Sequence, residues 1–276
     1  MKIALGLNID HIATLRQARR IHQPDPLEAV FIAKNAQVQQ ITIHLREDRR
    51  HIHDEDVRRI LTHSPLPVNV ECACDLSAGG VVEILCDLGV HKVTLVPEKR
   101  EEITTEGGLN MHAPQVDSAI ARFREAGIPV AVFIEPDRES IVRAQELGVS
   151  GVELHTGAFA HCYDMLHSCL PHSHNARESM RDFAPKSAQT RADLVRELKE
   201  RLAREINALE CAASYAHTLG LLVFAGHGLN YENIAPIVKL PHLQELNIGH
   251  SIIARALMVG LYQAIKDMQE AIANAL

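Results

Sequence analysis

Tryptophan is missing from this sequence altogether, and aromatic residues make up only 4% of it. A surface that stacks exposed bases needs aromatic faces, so a base-stacking nucleic-acid platform is not expected. Positive charge is also short. Lys and Arg number 28 against 35 Asp and Glu, a formal net charge of −7, whereas a general nucleic-acid binder carries a basic face. That balance still permits local basic pockets. No apolar run approaches the roughly 18 residues of a membrane span. In the opening stretch, Asn8 and Asp10 interrupt what could have served as a secretory core. The expectation is a cytoplasmic protein with neither membrane nor nucleic-acid partner. The cysteines at 72, 74, 86, 162, 169 and 211 follow no disulfide framework and read as free thiols in a reducing compartment. No Gly-x-Gly-x-x-Gly turn follows the first apolar run, which weakens an open doubly wound sheet, and no His-Glu-x-x-His occurs.

What is present is a chain of 276 residues, 46% hydrophobic and 23% charged, which is ordinary globular composition. Length alone would admit two domains, but α/β barrels of this size form one. Eight short apolar, β-branched runs read as strands: Ile3–Ile9, Ile41–Leu45, Pro67–Glu71, Lys92–Val96, Pro129–Glu135, Gly151–His155, Leu221–Ala225 and Glu245–Ile248. They look continuous rather than alternating, as strands apolar on both faces do.

Helical patterns lie between them: Pro26–Ala36, one capped by Asp54, one starting at Asp75 or Ser77, Pro114–Ala126, Glu139–Leu147, Ala192–Leu219, a short Tyr231–Lys239, and a closing helix from Ser251 through Ile272. Eight strand–helix alternations predict a single (β/α)8 barrel domain over 1–276. Strand starts fall 22 to 38 residues apart except between Gly151 and Leu221, which are 70 apart. The excess is a polar insertion after strand six, around His161–Arg191 (about 160–192), read as partly loop.

Catalytic groups of such barrels project from the C-terminal ends of the strands. Those ends carry Asn8, Asp10 and His11; His44 and Arg46; Glu71; Glu98, Lys99 and Arg100; Glu135; Glu153 and His155; His227; and Asn247 and His250. Any single one could be a rim salt bridge. So many buried charges together are costly without a task, and the asymmetry points to an enzyme. His44, Glu71, Glu153 and His227 are the candidate proton-transfer groups, since carboxylates set among imidazoles hold acids and bases near neutrality.

Arg46 and His51 suit an anion clamp after strand two, although Arg49 and Arg50 could pair with Glu47 and Asp48 in the same loop. Gly226–Leu229 and Gly249–Ser251, after strands seven and eight, form a second anion site at a helix start; turn chemistry alone would explain the glycines but not His227 and His250. The stretch 98–108 reads as a lid or a passive loop. Cys72, Cys74 and the insertion's His161, Cys162, His167, Cys169, His172 and His174 offer zinc ligands, but their spacing matches no familiar site. Two anion sites fit a bisphosphate or two phosphorylated substrates.

The blocks Asn8–Arg16, Thr42–Ile52, Leu95–Arg100, Thr104–Leu109, Glu153–Gly157, Ala225–Leu229 and Glu245–His250, in this order, resemble the pyridoxine 5′-phosphate synthase family. The resemblance runs from Ala4 to about Lys266. It implies a (β/α)8 barrel with extra helices, homo-oligomers, usually octamers, and no metal or organic cofactor. The implied reaction condenses 3-amino-2-oxopropyl phosphate with 1-deoxy-D-xylulose 5-phosphate to pyridoxine 5′-phosphate, phosphate and water.

By the same resemblance, His44 and Glu71 are proton acceptors, His227 is a proton donor and Glu153 stabilises a transition state. Asn8, Arg19, Gly228, Gly249 and His250 hold the aminoketone phosphate; Asp10, His11, Arg46, His51 and Thr104 hold the deoxyxylulose phosphate. Three departures from the family pattern stand out. No Gly precedes strand two in Asn35–Gln40. Phe224 replaces the usual Asn, which is expected to alter the barrel mouth. The insertion is longer than usual. Another phosphosugar-acting barrel enzyme, an isomerase or aldolase, is the alternative, and a His/Cys-rich metal-binding scaffold is a third reading.

Overall fold

The computed structural model describes residues 3–98, 107–168 and 191–276. Eight parallel strands close on themselves in sequence order: β1 (Ala4–Asn8), β2 (Gln40–His44), β3 (Val68–Cys72), β4 (Lys92–Leu95), β5 (Val130–Ile134), β6 (Gly151–His155), β7 (Leu222–Gly226) and β8 (Leu243–Ile248). β8 pairs with β1 through Leu5 opposite Leu246, which seals the barrel. The expected eight-stranded barrel is present, and each strand lies within two residues of its predicted bounds.

The helices are α1 (Asp10–Gln17), α2 (Pro26–Asn35), α3 (Asp54–His63), α4 (Val81–Leu88), α5 (Pro114–Glu125), α6 (Arg138–Glu146), α7 (Gly157–His167), α8 (Arg191–Thr218), α9 (Ile234–Ile237), α10 (His250–Val259) and α11 (Leu261–Ala275). Local chemistry sets their ends. Asp25 caps α2 by accepting the Leu27 N–H, with Pro26 in the first turn, and Asp137 caps α6 by accepting the Ser140 N–H. Among the described residues, no helix is long and apolar enough to cross a membrane.

Several sequence expectations are corrected. α1 follows β1 immediately and has no counterpart among the expected helices. α3 is capped not by Asp54 but through Asp56, whose carboxylate accepts the His53 N–H at 2.9 Å. α4 starts at Val81, because Asp75 spends its side chain on a turn with the Ser77 N–H and Gly80 becomes the cap. The closing helix is two helices, parted where Gly260 takes φ 82° and ψ 150°, outside helical geometry. The expected insertion begins as the second half of α7; its residues 169–190, including Cys169, lie outside the described set.

Strand faces are also sorted more sharply than a doubly apolar reading allows. Leu5, Leu7, Ile41, Ile43, Val68, Val70, Val130 and Val132 belong to the apolar core shared with the helices. On several strands the alternate positions are polar and meet one another inside the barrel. At the N-terminal end, Lys92 Nζ contacts Glu245 Oε1 at 3.1 Å and Gln40 Nε2 donates to the same oxygen at 2.9 Å. One step up, Thr94 Oγ1 donates to Asn69 Oδ1 at 3.0 Å. Phe224 lies in this interior rather than at the mouth: its ring covers Lys92 Nζ at 4.4 Å from the centroid. Above these tiers stand His44, Glu71, Glu153 and Asn247.

Candidate active site

The centre of the C-terminal mouth is a chain of short polar contacts built from β1, β2, β3, β6 and β8. Asp10, at the start of α1, is buried. Its Oδ1 accepts the backbone N–H of His44 at 2.8 Å, and its Oδ2 accepts the Asn8 amide at 2.9 Å. The Asn8 side-chain Oδ1 in turn accepts the Asp10 N–H at 3.0 Å, so the first turn of α1 is fixed from both sides. His44 Nδ1 lies 3.9 Å from Glu71 Oε2 and its Nε2 lies 3.4 Å from Glu98 Oε2. Among the described residues, Asp10, His44 and Glu71 also form a group whose potential ligand atoms all lie within 4.8 Å of one another. Hydrogen bonds to both oxygens of Asp10 fix the orientation of its carboxylate.

Asn247 joins the carboxyl groups across the barrel. Its amide nitrogen is 2.8 Å from Glu71 Oε1 and 3.3 Å from Glu153 Oε2. Gly226 leaves room for this: a side chain there would collide with Glu153 Oε1 and come within 3.2 Å of Asn247 Cβ. Burial dominates the electrostatics. It pushes Glu153 up to about 8, helped by Glu71 and Glu245, and raises Asp10 to about 7, with Glu71 adding to the rise and the facing His44 opposing it. Glu71 is raised for the same reason, against the pull of His44. Carboxyl groups whose protons come off near neutrality are suited to both giving and taking them.

Histidines ring this centre. His51 packs 6.1 Å from the His44 ring and accepts the Ile52 N–H at 2.8 Å; burial, then the charges of His44 and Arg46, hold it down at about 3. Arg46 is buried, with Nε 3.4 Å from Glu98 Oε1 and 3.7 Å from Asp48 Oδ1. Arg50 pairs with Asp48, as the self-paired alternative for that loop has it, whereas Arg49 pairs with Asp54 at the start of α3. His11 meets His250 edge-on at 4.8 Å, linking the ends of β1 and β8; burial and then His250 lower it. His227 has φ 80°, unusual for a residue with a side chain and a recurrent feature of functional sites. Burial and then His155 hold it at about 4. Gly228 follows it, and Gly249 packs against Asn8 before the N-terminus of α10.

The mouth thus gathers Asn8, Asp10, His11, His44, Arg46, His51, Glu71, Glu153, His227, Gly228, Gly249 and His250. Arg19 does not join them; it is exposed in the turn after α1. Thr104 lies outside the described residues, as does most of the expected 98–108 lid. Three features escaped assignment from sequence: Asn247 as the bridge between two carboxyls, Glu98 between His44 and Arg46, and Arg16. Arg16 grips Asp56 through two 2.7 Å bonds and donates to the His51 carbonyl at 2.9 Å, bracing the loop after β2. Asn247 and Glu98 stood at strand ends, but their partners depend on barrel closure.

Fold and mouth define an acid–base enzyme on a (β/α)8 barrel, its polar groups carried at the C-terminal ends of the strands. The chain belongs to the family described as Pyridoxal phosphate biosynthesis protein PdxJ, whose profile matches residues 5–274. Pyridoxine 5′-phosphate synthase of Wolinella succinogenes is 53% identical, covering 96% of this chain and 97% of that one. That of Helicobacter hepaticus is 51% identical, covering 98% of each. Among solved structures, tryptophan synthase subunit alpha from Legionella pneumophila aligns with a TM-score of 0.58 at 12% identity, covering 99% of this chain and 94% of that one. 3-Hexulose-6-phosphate synthase from Salmonella typhimurium does so at 0.58 and 12%, covering 99% and 100%. These likenesses carry the fold alone.

Proposed function

We propose that this chain is a pyridoxine 5′-phosphate synthase, condensing 3-amino-2-oxopropyl phosphate with 1-deoxy-D-xylulose 5-phosphate to give pyridoxine 5′-phosphate, inorganic phosphate and water. The observation that carries this reading is the buried Asp10–His44–Glu71–Asn247–Glu153 network, set between two anion-binding loop sets in a family member. Joining an amine to a ketone and closing an aromatic ring moves protons at every step, and one pocket must supply several acids and bases.

His44 and Glu71 take protons from the substrates. Glu153, protonated up to about 8, donates a hydrogen bond to charge that develops in the transition state. Asn247 keeps the two carboxyls apart from solvent and in register. Arg46 and His51 hold the deoxyxylulose phosphate with Asp10, His11 and Thr104. The Gly228 and Gly249 amides, Asn8 and His250 hold the aminoketone phosphate. His227 donates a proton at the second phosphate. It is neutral in the substrate-free enzyme, so its proton follows the arrival of anionic substrate.

The enzyme is a homo-oligomer, with an octamer as the expected size, and works in the cytoplasm. Leu257, Met258, Val259 and Tyr262 support self-association: they form an exposed apolar run from α10 into α11, with Met258 83% exposed. Turnover with both substrates together, and none with either alone, is the test of the assignment.

A further inference from the structure

Beside His227 stands a pair of side chains to which the proposed function gives no role. His155 ends β6, and its Nδ1 lies 2.9 Å from Glu135 Oε1, just past the end of β5. The same oxygen accepts the backbone N–H of Gly108 at 2.8 Å. A carboxylate held this way fixes the adjoining imidazole with its proton on Nδ1 and sets the plane of the ring. The other side of His155 meets the His227 ring edge-on, with centroids 5.0 Å apart and planes at 72°. Phe133 wedges against both, 4.9 Å from His155 and 6.3 Å from His227. Gly157 completes the fit: a side chain there would collide with His155 Nε2 and stand 3.1 Å from His227 Cδ2.

We propose that Glu135 and His155 form a positioning dyad for His227, in which the carboxylate orients His155 and His155 fixes the His227 ring. The dyad deepens, and rests on, the reading of His227 as proton donor. The titratable groups acting on His227 are Glu135, just past the end of β5, and His155 at the end of β6; Gly157 of α7, which packs beside its ring, brings no charge. Burial and His155 keep His227 at about 4, and Glu135 pulls the other way. A phosphate anion seated at the neighbouring Gly228 amide adds to the pull of Glu135. The dyad thereby ties protonation of His227 to an occupied phosphate site and keeps the empty site from charging it.

The test is an imidazole ¹⁵N NMR titration of the substrate-free, full-length enzyme. His155→Gln removes the imidazole that holds His227 down, and the His227 midpoint should move upward from about 4. His155→Lys places a permanent cation there, and the midpoint should stay low. If the lysine variant does not fold, Glu135→Gln provides the second arm, with the midpoint expected to move down, opposite to His155→Gln. No movement, or movement in the same direction in both arms, overturns the proposal. Midpoints that move as expected while the pH profile of kcat does not would leave the dyad standing and remove His227 as the proton donor.

Discussion

At the scale of single residues, the mouth mixes carboxyls pushed up by burial with imidazoles pushed down by it, and this sets how stability depends on pH. Unfolded, Asp10 and Glu153 lose their protons near 3.8 and 4.5; folded, they hold them to about 7 and 8. His51 and His227 go the other way, from 6.5 to about 3 and 4. Between about 4 and 6.5 the two sets oppose each other. Between 6.5 and 8 only the carboxyls remain, the folded state binds more protons, and stability must fall as pH rises. The urea midpoint is expected to be lower at pH 8 than at pH 6.5, and Glu153→Gln should flatten the fall; a rise over that interval contradicts this account. The rim residues themselves were legible in the sequence, because polar side chains at the ends of apolar runs are a local signal. Their pairings were not. Asn247 meets Glu71 across 176 positions, and only closure of the barrel brings them together.

At the scale of elements, the strands were legible because β-branched runs bounded by turn residues mark them well. Their inner faces were not, although Gln40, Thr42 and His44, or Lys92 and Thr94, already alternate with apolar neighbours. The polar interior is a property of this barrel that a general expectation of buried parallel strands hides. α1 escaped notice because its eight residues carry only a weak apolar stripe directly after a strand. The turn before β2 shows how a missing glycine is tolerated. Gln37 takes φ 64° just beyond α2, and Val38 N–H still reaches the Ala33 carbonyl at 3.0 Å. A side chain in this left-handed conformation costs about 1 kcal/mol. Gln37→Gly should therefore stabilise the enzyme by about that amount in urea unfolding, with kcat unchanged; a loss of stability would show that the side chain contributes more than the strain costs.

At the scale of the whole molecule, net charge describes the exterior, while Arg46, the histidines and the amides of Gly228 and Gly249 line the mouth for two anionic substrates. The exposed run from Leu257 to Tyr262 faces solvent in a single chain. Light scattering should report an assembly of several chains, and Met258→Lys should shift it toward smaller species; a monomer at micromolar concentration contradicts self-association. The seventeen histidines of the sequence divide in the same spirit: those at 11, 44, 51, 155, 227 and 250 gather at the mouth, and others lie far from it, such as the stacked His217 and His242 pair. The central claim is tested most directly by mixing the purified enzyme with 3-amino-2-oxopropyl phosphate and 1-deoxy-D-xylulose 5-phosphate and following pyridoxine 5′-phosphate and released phosphate together. The account predicts equal amounts of both products only when both substrates are present, and a loss of about a hundredfold or more in kcat for folded His44→Ala and Glu71→Gln. Phosphate released from one substrate alone, or no product from folded wild-type enzyme, would contradict it.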